Sequence, residues 1–319
     1  MTPPTDALSH PAAAVVTHVV SETLQCVVRR VVPILGHGQI NAVFRVDTTT
    51  APLIVRLNQL DHLASYRKEQ WCLRQAEQHG IPVPTVLAIG TAADRAFMIQ
   101  AAIPGTSDAT ADVDASQVWL RLGRYAARAN QIPVQGYGGV MDQDQPGVFT
   151  STWKQLIDEL VTAIFRDDYW TQRGRLTTFQ RRQLDAWMEH IVTIDSPLGL
   201  CHTDIGPRNT ILHNGSINDI YLLDWELAEA APVPASQLAS VARYWGYRSD
   251  AMHQFVRGYQ EEVAPIDLND PAVQGLTALG ALAIVRWAQD HQPEAVAGYT
   301  RSAQIIIRDL VQGRRTRRS

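Results

Sequence analysis

"CHTDIGPRNTIL", residues 201–212, is the stretch on which the fold turns. Asn209 follows Asp204 by five positions, and Gly206-Pro207 between them forbid a regular helix. The segment is therefore a loop that holds a carboxylate and an amide at a set separation. Taken alone it would also suit an ordinary turn, since Asp, Asn, Gly and Pro are the common turn residues. The continuation is more specific. "TILHNGSINDIYLLDW" (210–225) reads as two short strands around an Asn-Gly turn. Asp204 and Asn209 precede the first strand and Asp224 ends the second, so antiparallel pairing brings two carboxylates and one amide to a small volume. Hard oxygen ligands of this kind suit Mg2+ with waters left for a phosphate to displace.

Upstream, residues 26–58 are dense in β-branched residues broken by turn signals: "CVVRRVVPIL", "GHGQ", "INAVFRV", "DTTTAP", "LIVRLN". That pattern predicts three short strands. From His62 to His79 the apolar spacing turns helical, with Gly80 as the residue that closes the helix. "VLAIG" and "RAFMIQAA" supply two more strands. The expected fold is α+β and bilobal: a five-stranded N-lobe with one helix, residues 1–101, and a mainly helical C-lobe, residues 102–319. "IPGTSDAT" (103–110) marks the junction. Segments 112–130, 152–169, 177–194, 236–262, 271–291 and 293–311 read as helical.

The chain has 319 residues, 45% hydrophobic and 19% charged, with net charge −4, so no global basic field points to nucleic acid or an anionic membrane. "GRRTRRS" (313–319) reads as a solvated tail. Three widely separated cysteines, no secretory signal pattern and no apolar run of membrane-spanning length predict a soluble cytoplasmic protein.

Two further features carry chemistry. The glycines at 36 and 38 leave backbone N–H groups able to face phosphate oxygens, although glycine-rich hairpins are common. Arg56 lies inside the apolar strand "PLIVRLN" and needs an anionic partner, a carboxylate or a phosphate. Glu69, on the next helix, is the natural carboxylate. His202 reads as a packing and hydrogen-bonding residue beside Asp204. Glu226 and Glu229 either attract a cationic substrate or belong to a solvated helix start. The tryptophans at 119, 153, 170, 187, 245 and 287 are expected in packed helical faces.

An Asp to receive a hydroxyl proton, with an Asn and a second Asp to hold a metal, is the division of labour in kinases. In order and spacing, "GHGQINAVFRV", Arg56 in "LIVRL", Glu69 followed by "HGIPVP", "IPG", "HTDIGPRNTIL" and "LLDWE" resemble the aminoglycoside phosphotransferase and choline kinase-like family, relatives of protein kinases. The resemblance implies a protein-kinase-like fold and an ATP- and Mg2+-dependent kinase of a small hydroxylated molecule, with GTP as the alternative nucleotide. It makes Asp204 the catalytic base and Asn209 and Asp224 the Mg2+ ligands. It places Arg56 and Glu69 at the phosphates, Gly38 in the phosphate loop, and Gln100, Ala101, Ala102 and Ile103 at the adenine. The alternatives are a nucleotide-binding pseudokinase and an atypical protein kinase. The chain departs from the family pattern at Arg56 in place of a lysine, Thr203 in place of a glycine, and Gln237 in place of an aspartate that buttresses the loop.

Overall fold

The computed structural model describes residues 9–34, 42–107, 113–171 and 174–312. The N-lobe is an antiparallel sheet of β1 (Val28–Pro33), β2 (Ala42–Thr48), β3 (Leu53–Gln59), β4 (Val86–Ala92) and β5 (Arg95–Ala101), in the order β1-β2-β3-β5-β4. Alternation along β3 sends Leu53, Val55 and Leu57 to one face, where they pack with Val16, Val19 and Val20 of helix α1 (Ser9–Leu24). Arg56 stands in register with Met98 and faces the other way. There Met98 and Ala96 pack with Tyr66 of α2 (Leu63–Gln78), the helix after the third strand. The five strands and α2 match the sequence reading, and Gly80 adopts φ +70 past the end of α2. Helix α1 is an addition to it. The 36–41 glycine loop and the 313–319 tail lie outside the described residues.

The C-lobe is mainly helical: α3 (Ala115–Ala129), α4 (Trp153–Phe165), α5 (Thr178–Val192), α6 (Ala235–Trp245), α7 (Asp250–Gln260), α8 (Pro271–His291) and α9 (Val296–Gln312). Helix α3 crosses α7 in close contact: a Cβ at Gly123 would lie 2.0 Å from Phe255 O, and one at Gly258 1.8 Å from Leu120 O. Only glycine fits there. The segment expected as helical over 236–262 is two helices, because Gly246 takes φ +89 and Ser249 caps a new start.

Two small sheets, one of them containing the expected hairpin, shape the site. Strands β7 (Tyr137–Met141), β8 (Phe149–Ser151), β9 (Leu198–Cys201) and β12 (Glu229–Pro232) form one sheet, in the order β8-β7-β12-β9. The expected hairpin is β10 (Thr210–Leu212) with β11 (Ile220–Leu222), and β10 also pairs with β6 (Thr106–Ser107). Asn214 (φ +51) and Gly215 (φ +68) take the left-handed conformation in its turn. Trp119 and Trp187 are buried on helices as expected, Trp170 is buried but in the turn after α4, and Trp153 and Trp245 are half-buried. Trp287 is instead exposed and stacks on His291.

Candidate active site

The hairpin sets the spacing of the site. Thr210 pairs with Leu222, which aligns the residues just outside the ladder, and the Leu223 N–H donates to Asn209 O at 2.8 Å. The Leu222 N–H donates to Pro82 O at 2.9 Å, so the "HGIPVP" segment braces the same hairpin. Asp224 follows at once with φ +57, an uncommon conformation for a non-glycine residue and one that collects at functional sites. Its side chain is exposed. Asn209 Nδ2 donates to both Asp204 O and Asp204 Oδ2, each at 2.8 Å. Asp204, Asn209 and Asp224 are thus joined by one run of bonds.

His202 supports this run from beneath. It is buried, its Nε2–H donates to Leu223 O at 2.8 Å, and its ring meets Trp225 edge-on. Burial pushes its pKa below the ordinary histidine value, so the ring is a neutral donor. Gln237 grips the His202 backbone on both sides: its Oε1 accepts from the His202 N–H at 3.1 Å and its Nε2 donates to His202 O at 3.2 Å. Asn130, on the turn after α3, donates to Leu200 O at 2.9 Å and accepts from Tyr259 at 2.7 Å. The loop support missing from the sequence pattern is therefore a neutral amide. Thr203 donates to Leu227 O at 2.7 Å, and Arg243 donates to Thr203 O at 3.2 Å.

Arg56 and Glu69 pair as expected, with Nη1 2.7 Å from both carboxylate oxygens. Sequence reasoning missed the second partner. Arg56 Nη2 donates to Glu226 at 2.5 Å, and Glu226 also meets His62 Nε2 at 2.5 Å. Glu226 is thus neither a lure for a cationic substrate nor a solvated helix start. It ties the segment after Asp224 to the N-lobe sheet. Burial opposes the Arg56 charge, but Glu69, Asp224 and Glu226 outweigh it, and the guanidinium is held charged above its ordinary range. Lys68, one residue from Glu69, spans to the C-lobe through Gly139 O and Ala228 O. Burial moves the Lys68 pKa down and the Glu229 pKa up.

The segment Gln100–Ile103 lies at the end of β5, where Ala101 stands opposite Leu53, three positions along the ladder from Arg56. The Ala101 N–H donates to Thr85 O at 2.9 Å and the Ala102 N–H to Pro52 O at 3.2 Å. Gly38 lies outside the described residues. Arg208, inside the motif but given no role from the sequence, forms an ion pair with Asp204.

The model of the phosphotransferase enzyme family matches residues 31–272, most of the chain. The chain belongs to that family. The protein is thus an enzyme, a kinase among the phosphotransferases. Aminoglycoside phosphotransferase APH(4)-Ia shares its fold at TM-score 0.70 with 18% identity, over 93% of this chain and 98% of that one. A thermostable mutant of that protein, in ternary complex with AMP-PNP and hygromycin B, also reaches 0.70 with 18% identity, over 92% and 97%. Spectinomycin phosphotransferase APH(9)-Ia, in complex with ADP and spectinomycin, gives 0.59 with 13% identity, over 93% and 96%. No curated protein matches the sequence. At these identities the structural likenesses establish the phosphotransferase's fold, bilobal and kinase-like, and no more. Among the described residues no helix is long and apolar enough to cross a membrane.

Proposed function

We propose that the protein transfers the γ-phosphoryl group of ATP, with GTP as the alternative donor, to a hydroxyl group of a small molecule in the presence of Mg2+. The observation that carries this reading is the bonded run from Asp204 through Asn209 to Leu223 and Asp224. Asp204 is the general base. The acceptor oxygen attacks the γ-phosphorus, its proton passes to the Asp204 carboxylate, and the bond to the β–γ bridging oxygen breaks as ADP leaves.

The donor set fits Mg2+. Asn209 commits its amide nitrogen to Asp204, which leaves Oδ1 as the atom it can offer, and Asp224 adds an exposed carboxylate. Among the described residues no three His, Cys, Asp or Glu side chains gather as a metal cage. Two side-chain ligands leave positions for phosphate oxygens and water, so Asn209 and Asp224 hold the ion together with nucleotide. When bound, Mg2+ neutralises charge on the phosphates.

On the nucleotide side, Arg56 serves the phosphates and Glu69 orients it. The phosphates then contend with Glu226 for Nη2. Because the Ala101 and Ala102 N–H groups are already bonded, adenine is met by other backbone groups of Gln100–Ile103, the Ile103 N–H among them. Gly38 keeps its assignment to the phosphate loop. The lobes divide at 101/102. The free Cys26, Cys72 and Cys201 accord with action in the cytoplasm. The solved relatives with AMP-PNP and hygromycin B, or ADP and spectinomycin, support a nucleotide donor and a small acceptor.

The test is ADP release from ATP across a panel of hydroxylated compounds, with and without Mg2+, paired with calorimetry of Mg2+ binding. The reading expects metal-dependent ADP release and Mg2+ binding only when nucleotide is present. Absence of nucleotide binding, or tight Mg2+ binding without nucleotide that persists in Asp224→Ala, contradicts it.

A further inference from the structure

We propose that Arg208 recognises the acceptor, and that the acceptor carries an anionic group, a carboxylate or a phosphate, close to the hydroxyl it presents to Asp204. The inference rests on Asp204 being the base.

Asp204 has two carboxylate oxygens, and both are engaged. Oδ2 is held by the Asn209 amide and Oδ1 by Arg208 Nη2. The Arg208 side chain is 47% exposed and that of Asp204 15%, so the guanidinium is the solvent-facing partner. An incoming hydroxyl must therefore displace or share Oδ1 with a cation. A neutral hydroxyl exchanges poorly for a charge-assisted bond, which is about twice as strong as a neutral one. An acceptor bearing an anion offers the guanidinium a new partner at the same moment that its hydroxyl takes over Oδ1. Arginine's fork of donors suits both carboxylate and phosphate.

The surroundings favour the same charge. Arg208 rests over the ring of Tyr244 with its Cζ 5.3 Å from the centroid, and Arg243 lies 4.8 Å from the same centroid. Tyr244 is exposed, so Arg208 and the α6 residues Tyr244 and Arg243 form a ledge beside the base, with Arg208 as its solvent-facing cation. The two carboxylates that the sequence suggested for a cationic acceptor are engaged elsewhere. Glu226 is bonded to Arg56 and His62, and Glu229 has Arg243 and Lys68 as its charge neighbours. The ledge also separates this role from one on the nucleotide. Among the described residues, Arg208 meets Asp204 and Tyr244, both in the C-lobe.

The test compares matched acceptors of one skeleton, such as glucosamine, glucose, glucuronate and glucose 6-phosphate, within a wider panel balanced for charge. ADP release is measured for the wild type, Arg208→Gln and Arg208→Lys. The fastest acceptor is expected to be an anion, and the carboxylate and phosphate arms identify which. In Arg208→Gln its KM should rise about tenfold or more, with partial recovery in Arg208→Lys and nucleotide affinity held. A cationic or neutral compound as the best acceptor overturns the proposal. So does a fall in kcat of equal size for every acceptor, which would place Arg208 on the transferring phosphoryl group. If no panel member is turned over, malonate and inorganic phosphate are titrated into protein saturated with AMP-PNP and Mg2+. Thermal stabilisation seen in the wild type and lost in Arg208→Gln supports the proposal, and an equal response in both, or none, overturns it. Failure of AMP-PNP itself to bind is the separate result that removes the kinase reading.

Discussion

Gln237 offers a sharp test of how the 201–209 loop is held. It is fully buried, and its amide serves the His202 backbone at 3.1 Å and 3.2 Å while also meeting Ser240 Oγ at 3.1 Å. Gln237→Ala leaves the buried His202 N–H and C=O without these partners and opens a cavity. At about 1–3 kcal/mol for each of the two orphaned buried groups, the loss of stability should be about 2–6 kcal/mol. Gln237→Glu keeps the acceptor for the His202 N–H but sets a carboxylate oxygen against His202 O. It should therefore also destabilise, although it creates no cavity. Urea unfolding gives the stability difference, and ADP release measured where both variants are folded shows whether the loop is displaced. Turnover should fall more than nucleotide affinity, because the loop carries Asp204 and not the adenine segment. A Gln237→Glu protein as stable as the wild type would refute the two-sided grip.

Arg56→Ala should weaken nucleotide binding by about 1.5–3 kcal/mol, the scale of a charge-assisted contact, and lower apo stability because Glu69 and Glu226 lose their shared partner. Glu226→Gln should tighten nucleotide binding by releasing Nη2; unchanged affinity in both variants by fluorescence titration would reduce Arg56 to a structural ion pair. The depressed pKa of His202 means that the unfolded chain takes up a proton before the folded one, so its contribution is full above about pH 6.5 and lost as pH falls through the lower folded value. Thermal melts should accordingly show a shallower loss of stability between about pH 7 and 5 in His202→Gln than in the wild type, and parallel curves would contradict the neutral, buried assignment.

Local patterns were the legible part of this fold. The Val-rich alternation of β1–β3, the helical spacing of α2 and the Asn-Gly turn of the 210–225 hairpin depend on near neighbours, and the structure follows them. Helix α1 lacked such a signal, since "AAAVVTHVV" is rich in β-branched residues that suit a strand as well. The β7–β12 pairing joins residues far apart in the chain, Gly138 with Ala230, and short strands of that kind carry no local mark. The same reason hid half of the site. Glu69 could be guessed for Arg56 because it lies on the next element, whereas Glu226 lies 170 positions away and meets Arg56 only once the hairpin is folded against the N-lobe. Gln237 was visible only as the absence of an aspartate, and the two-sided bonding that replaces it needs the position of α6.

Asp204 takes the acceptor's proton in the proposed reaction, and the decisive variant is Asp204→Asn. On the acceptor that gives the fastest ADP release, turnover should fall by about 10²–10⁴, the usual contribution of a positioned base, while AMP-PNP affinity stays close to that of the wild type. Turnover near the wild-type rate in a variant that binds AMP-PNP normally would contradict the account.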